Sequence, residues 1–387
     1  MKYFSHINTA VQLLQQYNGS QPFGSFIKQF FSQHKKYGSK DRKNISHLCY
    51  AFFRLGKAAL QLPTEERILT GLFLSSPEPN ELLQHLRPDW NDKTQLPVAE
   101  KAQQAAIALN ELFPWNSALS SAVAYDPFCE SFLTQPDLFL RLRPGKETVV
   151  KNKLQQAGIA FREINPSCLA LPNASKLDTV IETDREAVIQ DYSSQRIGEL
   201  MEFIRAAYAK APASKVWDAC AASGGKSILA NDIFPSIDLT VSDVRKSILI
   251  NLEKRFATAG IKHYHSFIAD LSTTTHLRQG LFDIIITDVP CSGSGTWSRT
   301  PEQLYYFEPQ QIDRYSALQK KIVQQATAHL KPGGFLLYCT CSVFKKENEE
   351  VVQFIQEQLS LQLLKKELLT GYTQKADTLF GAVFQKK

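Results

Sequence analysis

Two cysteines, Cys291 and Cys341, stand where an apolar run gives way to a loop. Cys291 follows "FDIIITDVP" and Cys341 follows "GGFLLYCT", and both runs are predicted to be buried strands. A thiol in a polar loop at a strand end can be stabilised as the thiolate, which is the nucleophilic form of cysteine. Two such loops side by side would suit covalent catalysis, in which a nucleophile divides one difficult step into easier ones.

The other cysteines and the histidines indicate neither disulfides nor a metal site. The chain has seven cysteines, an odd number with no CxxC pair, and this usage is typical of reduced thiols. The histidines form no cluster with ligand spacing, so no metal is expected. A lone cysteine is most often a small buried apolar residue. We apply this interpretation to Cys49, Cys129, Cys168 and Cys339.

Acidic residues end the successive apolar runs that follow residue 186. These are Asp218, Asp243, Asp270 and Asp288. In an open parallel sheet, ligands bind beyond the carboxyl ends of the strands. Asp243 suits the vicinal hydroxyls of a ribose, and Asp270 suits an adenine amino group. Any one of the four acids can be explained as a helix N-cap, but this explanation fits all four poorly.

The first of these runs leads into the small-residue loop "CAASGGKS", residues 220–227. Gly224 and Gly225 permit close backbone approach to a ligand. The loop is neither GxGxxG nor GxxxxGK[ST], so a dinucleotide or nucleoside triphosphate fits it poorly. An adenosyl ligand without phosphates remains, which indicates S-adenosylmethionine as the cofactor.

A methyl donor beside two thiols suits methylation of a pyrimidine carbon. A thiolate that adds to ring carbon 6 makes carbon 5 nucleophilic enough to attack the methyl group. The reaction also requires an acid near ring nitrogen 3 and a base for the proton on carbon 5. Asp288 precedes Cys291 closely and is a candidate for the first of these roles. The residues alone do not indicate which cysteine attacks.

The elements that position these residues fall into three predicted segments. Residues 1–135 show helical periodicity, residues 136–185 form a small α+β module, and residues 186–387 alternate apolar runs with amphipathic helices. Strands buried on both faces and linked by helices predict an α/β, doubly wound parallel sheet. Two final runs, "LQLLKKELL" and "TLFGAVFQK", are predicted to close its edge as an antiparallel hairpin.

The positive charge is concentrated at the start of the chain. The net charge is +6, but residues 1–57 alone contain nine Lys or Arg and one acid, a net +8. A basic lobe on a nearly neutral body favours a polyanionic partner such as RNA. The alternative is an ordinary solvated helical face.

Several motifs together resemble the Sun/Fmu family of RNA 5-methylcytosine methyltransferases. The motifs that carry the resemblance are "VIQDYSSQRIGELM", "DACAASGGKS", "DVPCSGSG", "SRTPE" and "LKPGGFLLYCTCSVFKKENEE". The family fold is a Rossmann-like class I methyltransferase sheet. The resemblance implies that Cys341 attacks carbon 6, that Cys291 aids release, that Asp288 binds the cytosine ring, and that Lys226 lies between cofactor and base. It implies a cofactor site formed by Cys220, Ala221, Ala222, Ser223, Gly224, Gly225, Lys226, Asp243, Asp270 and Asp288.

The earlier segments are similar to accessory domains of the same family. "GSKDRKNISHLCYAFFRLGK" resembles the helical antiterminator-like domain of bacterial members that modify 16S rRNA, and residues 136–185 resemble the RNA-binding insert. Two positions depart from the family pattern. "LRLRPGK" stands where many members have Leu-Arg-x-Asn, and Ser223 replaces a usual proline.

The expected protein is therefore an RNA cytosine-5 methyltransferase that acts on 16S rRNA, with transfer RNA as the alternative substrate. It is expected to be cytoplasmic, since the sequence has neither a signal peptide nor a run of eighteen apolar residues. A monomer is expected, although the sequence does not fix the oligomeric state. Two other functions remain open. One is a non-catalytic RNA-binding factor in ribosome assembly, which the presence of both cysteines disfavours. The other is a small-molecule methyltransferase, which the basic N-terminal segment disfavours.

Overall fold

The first third of the chain is helical, and the remainder alternates strands with helices. The structure is a computed structural model that describes residues 2–208, 214–234, 236–273 and 280–387. The helices are α1 (Lys2–Gln16), α2 (Phe23–Gln33), α3 (Ser39–Arg54), α4 (Thr64–Ser75), α5 (Glu81–Leu86), α6 (Pro88–Asn91), α7 (Val98–Gln104), α8 (Tyr125–Ser131), α9 (Glu147–Gln156), α10 (Tyr192–Ala207), α11 (Gly225–Ile233), α12 (Lys246–Ala259), α13 (Pro301–Tyr306), α14 (Gln310–Thr327) and α15 (Glu349–Gln358). The strands are β1 (Leu138–Leu142), β2 (Arg162–Asn165), β3 (Cys168–Leu171), β4 (Ala187–Ile189), β5 (Ser214–Asp218), β6 (Ile237–Asp243), β7 (Tyr264–Ile268), β8 (Phe282–Asp288), β9 (Leu330–Thr340), β10 (Leu361–Leu369) and β11 (Leu379–Lys386).

Contacts along the backbone divide the chain into two compact units. The helical unit contains the residues up to Leu119, Val123–Gln135 and the excursion Thr296–Glu308. The α/β unit contains Ser120–Ala122, Pro136–Gly295 and Pro309–Lys387. The predicted domain boundaries at 135 and 185 stay predictions.

A buried arginine ties the excursion into the helical unit. Arg54, at the end of α3, donates to the carbonyl oxygens of Phe132 at 2.7 Å and Ser298 at 3.3 Å, and to Oε1 of Gln135 at 2.6 Å. Burying a guanidinium is costly unless its donors are satisfied, and here carbonyl and amide oxygens satisfy them. Arg54 therefore fixes the start of the excursion against α3 and the segment after α8.

The α/β unit is built on a seven-stranded sheet in the order β10-β11-β9-β8-β5-β6-β7. Strands β5 to β9 are parallel. The central strands are buried on both faces because helices cover them, and Ile284, Ile285 and Ile286 of β8 are all 0% exposed, whereas the edge strand β7 is mostly exposed. This confirms the predicted α/β, Rossmann-like, doubly wound sheet. The predicted terminal hairpin is present, with β11 between β9 and β10 and antiparallel to both.

Two neighbouring strands in this sheet carry the cysteine loops. In the parallel pair β8–β9, Asp288 lies opposite Cys339. Cys291 and Cys341 follow these two residues by three and two positions, respectively. The loops therefore leave the sheet side by side at its carboxyl edge.

A second, four-stranded antiparallel sheet in the order β2-β3-β1-β4 precedes the large sheet in the chain. Arg141 and Arg143, on and just after β1, hold Asp232 of α11 at 2.6 and 2.7 Å. All three side chains are nearly buried, at 7, 11 and 6% exposed. This ion cluster links the small sheet to the helix that follows the candidate cofactor loop.

The change Asp232→Asn should destabilise the protein by about 3 kcal/mol or more, because it leaves two buried guanidinium groups without their counter-charge. Unfolding in urea, followed by circular dichroism, measures the effect. Glu199→Gln is the matched control, since it breaks an Arg196–carboxylate pair on the surface, where Glu199 is 50% exposed. The control should cost less than about 1 kcal/mol. Equal effects of the two changes would contradict the structural role of Asp232.

Candidate active site at the carboxyl ends of the strands

The sulfur atoms of Cys291 and Cys341 lie 3.2 Å apart. The hydrogen bond to the Cys341 sulfur and burial together raise the pKa of the Cys291 thiol well above its ordinary value. Either sulfur can be the donor in this hydrogen bond. Two thiols that the sequence separates widely are thus brought into direct contact.

An ion pair between a buried lysine and a partly exposed aspartate lies at the end of β8. The ammonium of Lys226 lies 2.5 Å from Oδ2 of Asp288, and the lysine side chain is only 10% exposed. Burial alone would lower the pKa of Lys226, but the Asp288 carboxylate outweighs it and raises the pKa above its ordinary value. The thiols of Cys339 and Cys341 contribute to the same rise. A fixed positive charge therefore faces the cysteine loops.

Glu347 joins the two cysteine loops, and the sequence analysis did not identify it. Its Oε2 accepts from the backbone N–H of Ser292 at 2.9 Å, and its Oε1 accepts from the hydroxyl of Ser342 at 2.7 Å. Nε2 of Gln319 donates to Oε2 at 2.9 Å. Glu347 is fully buried, and burial raises the pKa of its carboxyl although these donors oppose the shift.

The Cys341 loop has two further supports within the α/β unit. Asn348 donates to the carbonyl oxygen of Ser342 at 2.8 Å and accepts from the hydroxyl of Thr340 at 2.6 Å. The N–H of Gly295 donates to the carbonyl oxygen of Cys341 at 2.9 Å. A side chain at position 295 would collide with the carbonyl of Thr378, so this close approach requires glycine. The final glycine of "SGSG" was thus a signal for the loop contact.

The predicted cofactor loop is tied to the end of β6. The N–H of Ala221 donates to the carbonyl oxygen of Ser242 at 2.9 Å, and the N–H of Ala222 donates to Oδ2 of Asp243 at 3.1 Å. Ala222 and Gly224 both have positive φ angles, 46° and 85°, which bend the chain into α11. The loop from Cys220 to Gly225 and the Asp243 carboxylate are therefore brought together, and their role in binding a cofactor stays a prediction.

Ser223, at the position of the usual proline, is held from outside the loop. Arg255 of α12 donates to both the carbonyl oxygen and the hydroxyl of Ser223 at 3.0 Å. The same guanidinium pairs with Asp184 at 2.7 Å. These bonds restrain the loop at the residue where a proline ring would otherwise do so.

Asp270 lies near Asp243, which pairs with Ile268 two residues earlier, but it lies far from the cysteine loops. Its carboxylate accepts from the N–H of Ser272 at 2.9 Å and from the hydroxyl of the same residue at 2.6 Å, and these bonds lower the pKa of Asp270. It follows β7, the edge strand, which is three strands from β8. At the usual strand spacing this places it roughly 14 Å from the β8 end. It belongs to the far side of the candidate cofactor region.

The acid at the end of β5 is the most deeply buried of the four. Asp218 is 0% exposed, and its Oδ2 accepts from the hydroxyl of Ser227 at 2.6 Å. Its Oδ1 is buried without a hydrogen-bond partner among the described residues. Burial raises the pKa of Asp218 to about 7. The Asp218–Ser227 hydrogen bond therefore ties the end of β5 to the first turn of α11.

The part of the chain that the structure describes contains neither a cluster of metal-ligating side chains nor a membrane-spanning helix. Within residues 2–208, 214–234, 236–273 and 280–387, no group of three or more His, Cys, Asp and Glu is arranged to hold a metal ion. No helix in those ranges is long and apolar enough to cross a bilayer.

Comparison with known proteins shows what the second half of the chain is similar to. Residues 207–380 match the family model described as 16S rRNA methyltransferase RsmB/F. The ribosomal RNA small subunit methyltransferase B of Xanthomonas campestris pv. campestris is 29% identical over 288 residues, which cover 72% of this chain. The match covers 57% of that relative, so the chain spans little more than half its length. The predicted resemblance to the Sun/Fmu methyltransferases is confirmed.

Solved structures confirm the fold. The crystal structure of PH0851 aligns with a TM-score of 0.70 at 18% identity, over 100% of this chain and 98% of that one. A methyltransferase homologue from Pyrococcus horikoshii aligns with a TM-score of 0.57 at 21% identity, over 70% of this chain and 92% of that one.

Protein stability should fall as the pH rises from about 4 to about 7, because the pKa of Asp218 is higher in the folded protein than in the unfolded chain. The native state binds the Asp218 proton more tightly than the unfolded chain does. The stabilisation from this proton is therefore complete below about pH 4 and is lost as the pH rises to the folded pKa. Over this range the free energy of unfolding should fall by up to about 1.4 kcal/mol per pH unit. Asp218→Asn should flatten this part of the profile, measured by urea unfolding at several pH values. The control Asp178→Asn changes an exposed acid and should leave the profile as it is. Parallel profiles for wild type and Asp218→Asn would contradict the assignment.

Proposed function

Because this chain resembles the RsmB/F family of 16S rRNA methyltransferases over residues 207–380, we propose that it is an S-adenosylmethionine-dependent methyltransferase that forms 5-methylcytosine in RNA. The expected substrate is 16S rRNA. The observation that carries the proposal is the contact of the Cys291 and Cys341 sulfurs at 3.2 Å. This contact lies at the sheet edge where Lys226 and Asp288 form an ion pair.

The residues of the candidate cofactor region suit a ligand that is rich in donors and lacks phosphate. Asp243, Asp270 and Asp288 supply acceptors and negative charge, and Lys226 is already neutralised by Asp288. Val244 and Ile268, which follow or end the strands β6 and β7, are each 55% exposed and offer apolar surface to a flat ring. When bound, S-adenosylmethionine supplies a methyl group on a positively charged sulfonium.

Asp243 would bind the ribose hydroxyls, provided that one of its neighbours moves. Its carboxylate accepts from Arg245 at 3.1 Å in addition to the loop N–H of Ala222. The Arg245 side chain is 58% exposed, so a ligand can displace it at little cost. The N–H bond from the loop would remain and would keep Asp243 in place.

Cys341 acts as the nucleophile in this proposal. Its sulfur forms a bond to ring carbon 6, and the electron pair of the carbon 5–carbon 6 double bond becomes available at carbon 5 for the methyl group. Asp288 binds the ring near nitrogen 3, and the Lys226 ammonium stabilises the negative charge that develops as Cys341 adds. Loss of the proton from carbon 5 restores the double bond and expels the Cys341 sulfur.

Cys291 acts in this last step. The hydrogen bond with Cys341 and burial hold the pKa of Cys291 high in the free protein. Once the Cys341 sulfur is bound to carbon 6, it is a neutral thioether sulfur and only a weak hydrogen-bond acceptor. The pKa of Cys291 should then fall at the stage when a base is required for the carbon 5 proton.

The helical unit is proposed to bind the RNA backbone. Nine Lys or Arg lie within residues 1–57, and Lys28, Lys35, Lys36 and Lys43 are exposed. Exposed cations grouped in one stretch of chain suit phosphate contacts, which are independent of base sequence.

Cys341→Ser should abolish methylation. Cys291→Ala should instead accumulate a covalent protein–RNA adduct, because carbon 6 can still be attacked but the carbon 5 proton is not removed. Methylation is measured by bisulfite sequencing of 16S rRNA, with transfer RNA sequenced in parallel to test the alternative substrate. The adduct is measured as a protein–RNA band that survives denaturant. The double variant is the control and should give no adduct. Normal turnover by Cys341→Ser, or no adduct with Cys291→Ala in the presence of cofactor, would refute these roles.

RNA affinity should fall steeply as the salt concentration rises. Changing Lys35, Lys36 and Lys43 together to Ala should make the slope of log K against log salt shallower by up to about 2, because each lost phosphate contact contributes roughly 0.7. Fluorescence anisotropy with a 16S rRNA fragment at several salt concentrations measures the slope. Changing the exposed residues Lys254, Lys262 and Lys387 to Ala removes the same charge from the α/β unit and should change the slope much less. A salt-independent affinity of the wild type would eliminate the proposed phosphate contacts.

A further inference from the structure

We propose that Glu347 is a positioning residue that holds the loops of Cys291 and Cys341 at their working separation. The inference rests on the proposed function, because that separation matters only if both thiols act on one base. Glu347 itself touches neither sulfur atom in any described contact, so it acts through the residues beside them.

The two oxygens of the Glu347 carboxylate are divided between the two loops. Oε2 accepts from the N–H of Ser292, the residue after Cys291. Oε1 accepts from the hydroxyl of Ser342, the residue after Cys341. A single rigid planar group therefore spans the gap between loops that reach the site from different strands.

The Glu347 side chain is itself held in place. Gln319 of α14 donates through Nε2 both to Glu347 at 2.9 Å and to the carbonyl oxygen of Pro290 at 3.0 Å. The hydroxyl of Tyr338 donates to the Glu347 carbonyl oxygen at 2.6 Å. These bonds come from α14 and β9, so the carboxylate is fixed by elements outside the two loops.

Helix capping does not explain this buried carboxylate. Glu347 precedes α15, which begins at Glu349, but the N–H groups of the first turn have other partners: Glu350 donates to the carbonyl of Lys345 and Val352 to that of Asn348. Removing a carboxylate from water is costly unless its acceptors are used. Both acceptors of Glu347 are used on the cysteine loops, so alignment of these loops accounts for its burial.

The proposed alignment is tested with Glu347→Gln, which keeps the shape of the side chain but replaces one acceptor oxygen with an NH₂ group. The loops should separate slightly, and displacement of a reacting group by about 1 Å can reduce a rate by about a hundredfold. We expect kcat for methylation to fall about ten- to hundredfold, with KM for RNA and the melting temperature nearly unchanged. Glu350→Gln is the matched control, since it changes a nearby carboxylate that has no described contact with either cysteine loop. It should retain wild-type kcat.

A second measurement reports the separation of the sulfurs without RNA or cofactor. Diamide should join the two thiols as a disulfide: each sulfur loses its proton, one S–S bond forms, and the N=N bond of diamide is reduced to the hydrazine. Only about 1 Å of movement takes the observed 3.2 Å to a disulfide bond length. Mass spectrometry of the Cys291–Cys341 cross-linked peptide should show a rate at least about tenfold lower in Glu347→Gln than in wild type and in Glu350→Gln.

The outcomes separate this inference from the proposed function. Cross-linking and methylation at wild-type rates in Glu347→Gln would overturn the positioning role while leaving the proposed function intact. Slower cross-linking in the variant, together with no RNA methylation by the wild type, would support the alignment and refute the methyltransferase. If Glu347→Gln does not fold, Ser342→Ala removes one end of the same bridge and should slow cross-linking; a wild-type rate in Ser342→Ala would then overturn the inference.

Discussion

The parallel pairing of β8 with β9 is the interaction on which the candidate site depends. Parallel strands end at the same edge of a sheet, so their loops meet although their sequences are far apart. The register places Asp288 beside Cys339. Both strands are buried on both faces, so a slip of one residue would disrupt close packing against the helices on each side of the sheet. The position of the thiols is therefore a consequence of how the core packs.

The site is also assembled from ionic groups that have been taken out of water. Lys226, Asp218 and Glu347 are all buried, and each makes hydrogen bonds to residues of neighbouring elements. Such groups reduce stability compared with a well-packed apolar core. What they supply is a fixed arrangement of charge and acceptors around the cysteines, which does not have to reorganise when a substrate binds.

The sequence was sufficient to predict the parallel sheet, the final hairpin and the convergence of two thiols, because each follows from apolar runs and their order. Two features depended on contacts that no short pattern records. Glu347 lies in the charged run "KKENEE", which by itself is typical of a solvated helix start. The insertion of β11 between β9 and β10 depends on which edge the hairpin pairs with. Asp270 had a local signal, since "DLS" favours the turn in which Ser272 binds its carboxylate.

The excursion Thr296–Glu308 leaves the α/β unit directly after the Cys291 loop and returns before α14. Within the helical unit it buries Trp297, Leu304 and Phe307, which are 0, 0 and 3% exposed. A single cut in the chain therefore cannot separate the two units. A fragment beginning at residue 136 would keep the whole sheet but would expose the apolar side chains of the excursion to solvent. Exposed apolar surface of that kind promotes aggregation. The α/β unit therefore depends on the helical unit to keep the apolar side chains of the excursion out of solvent.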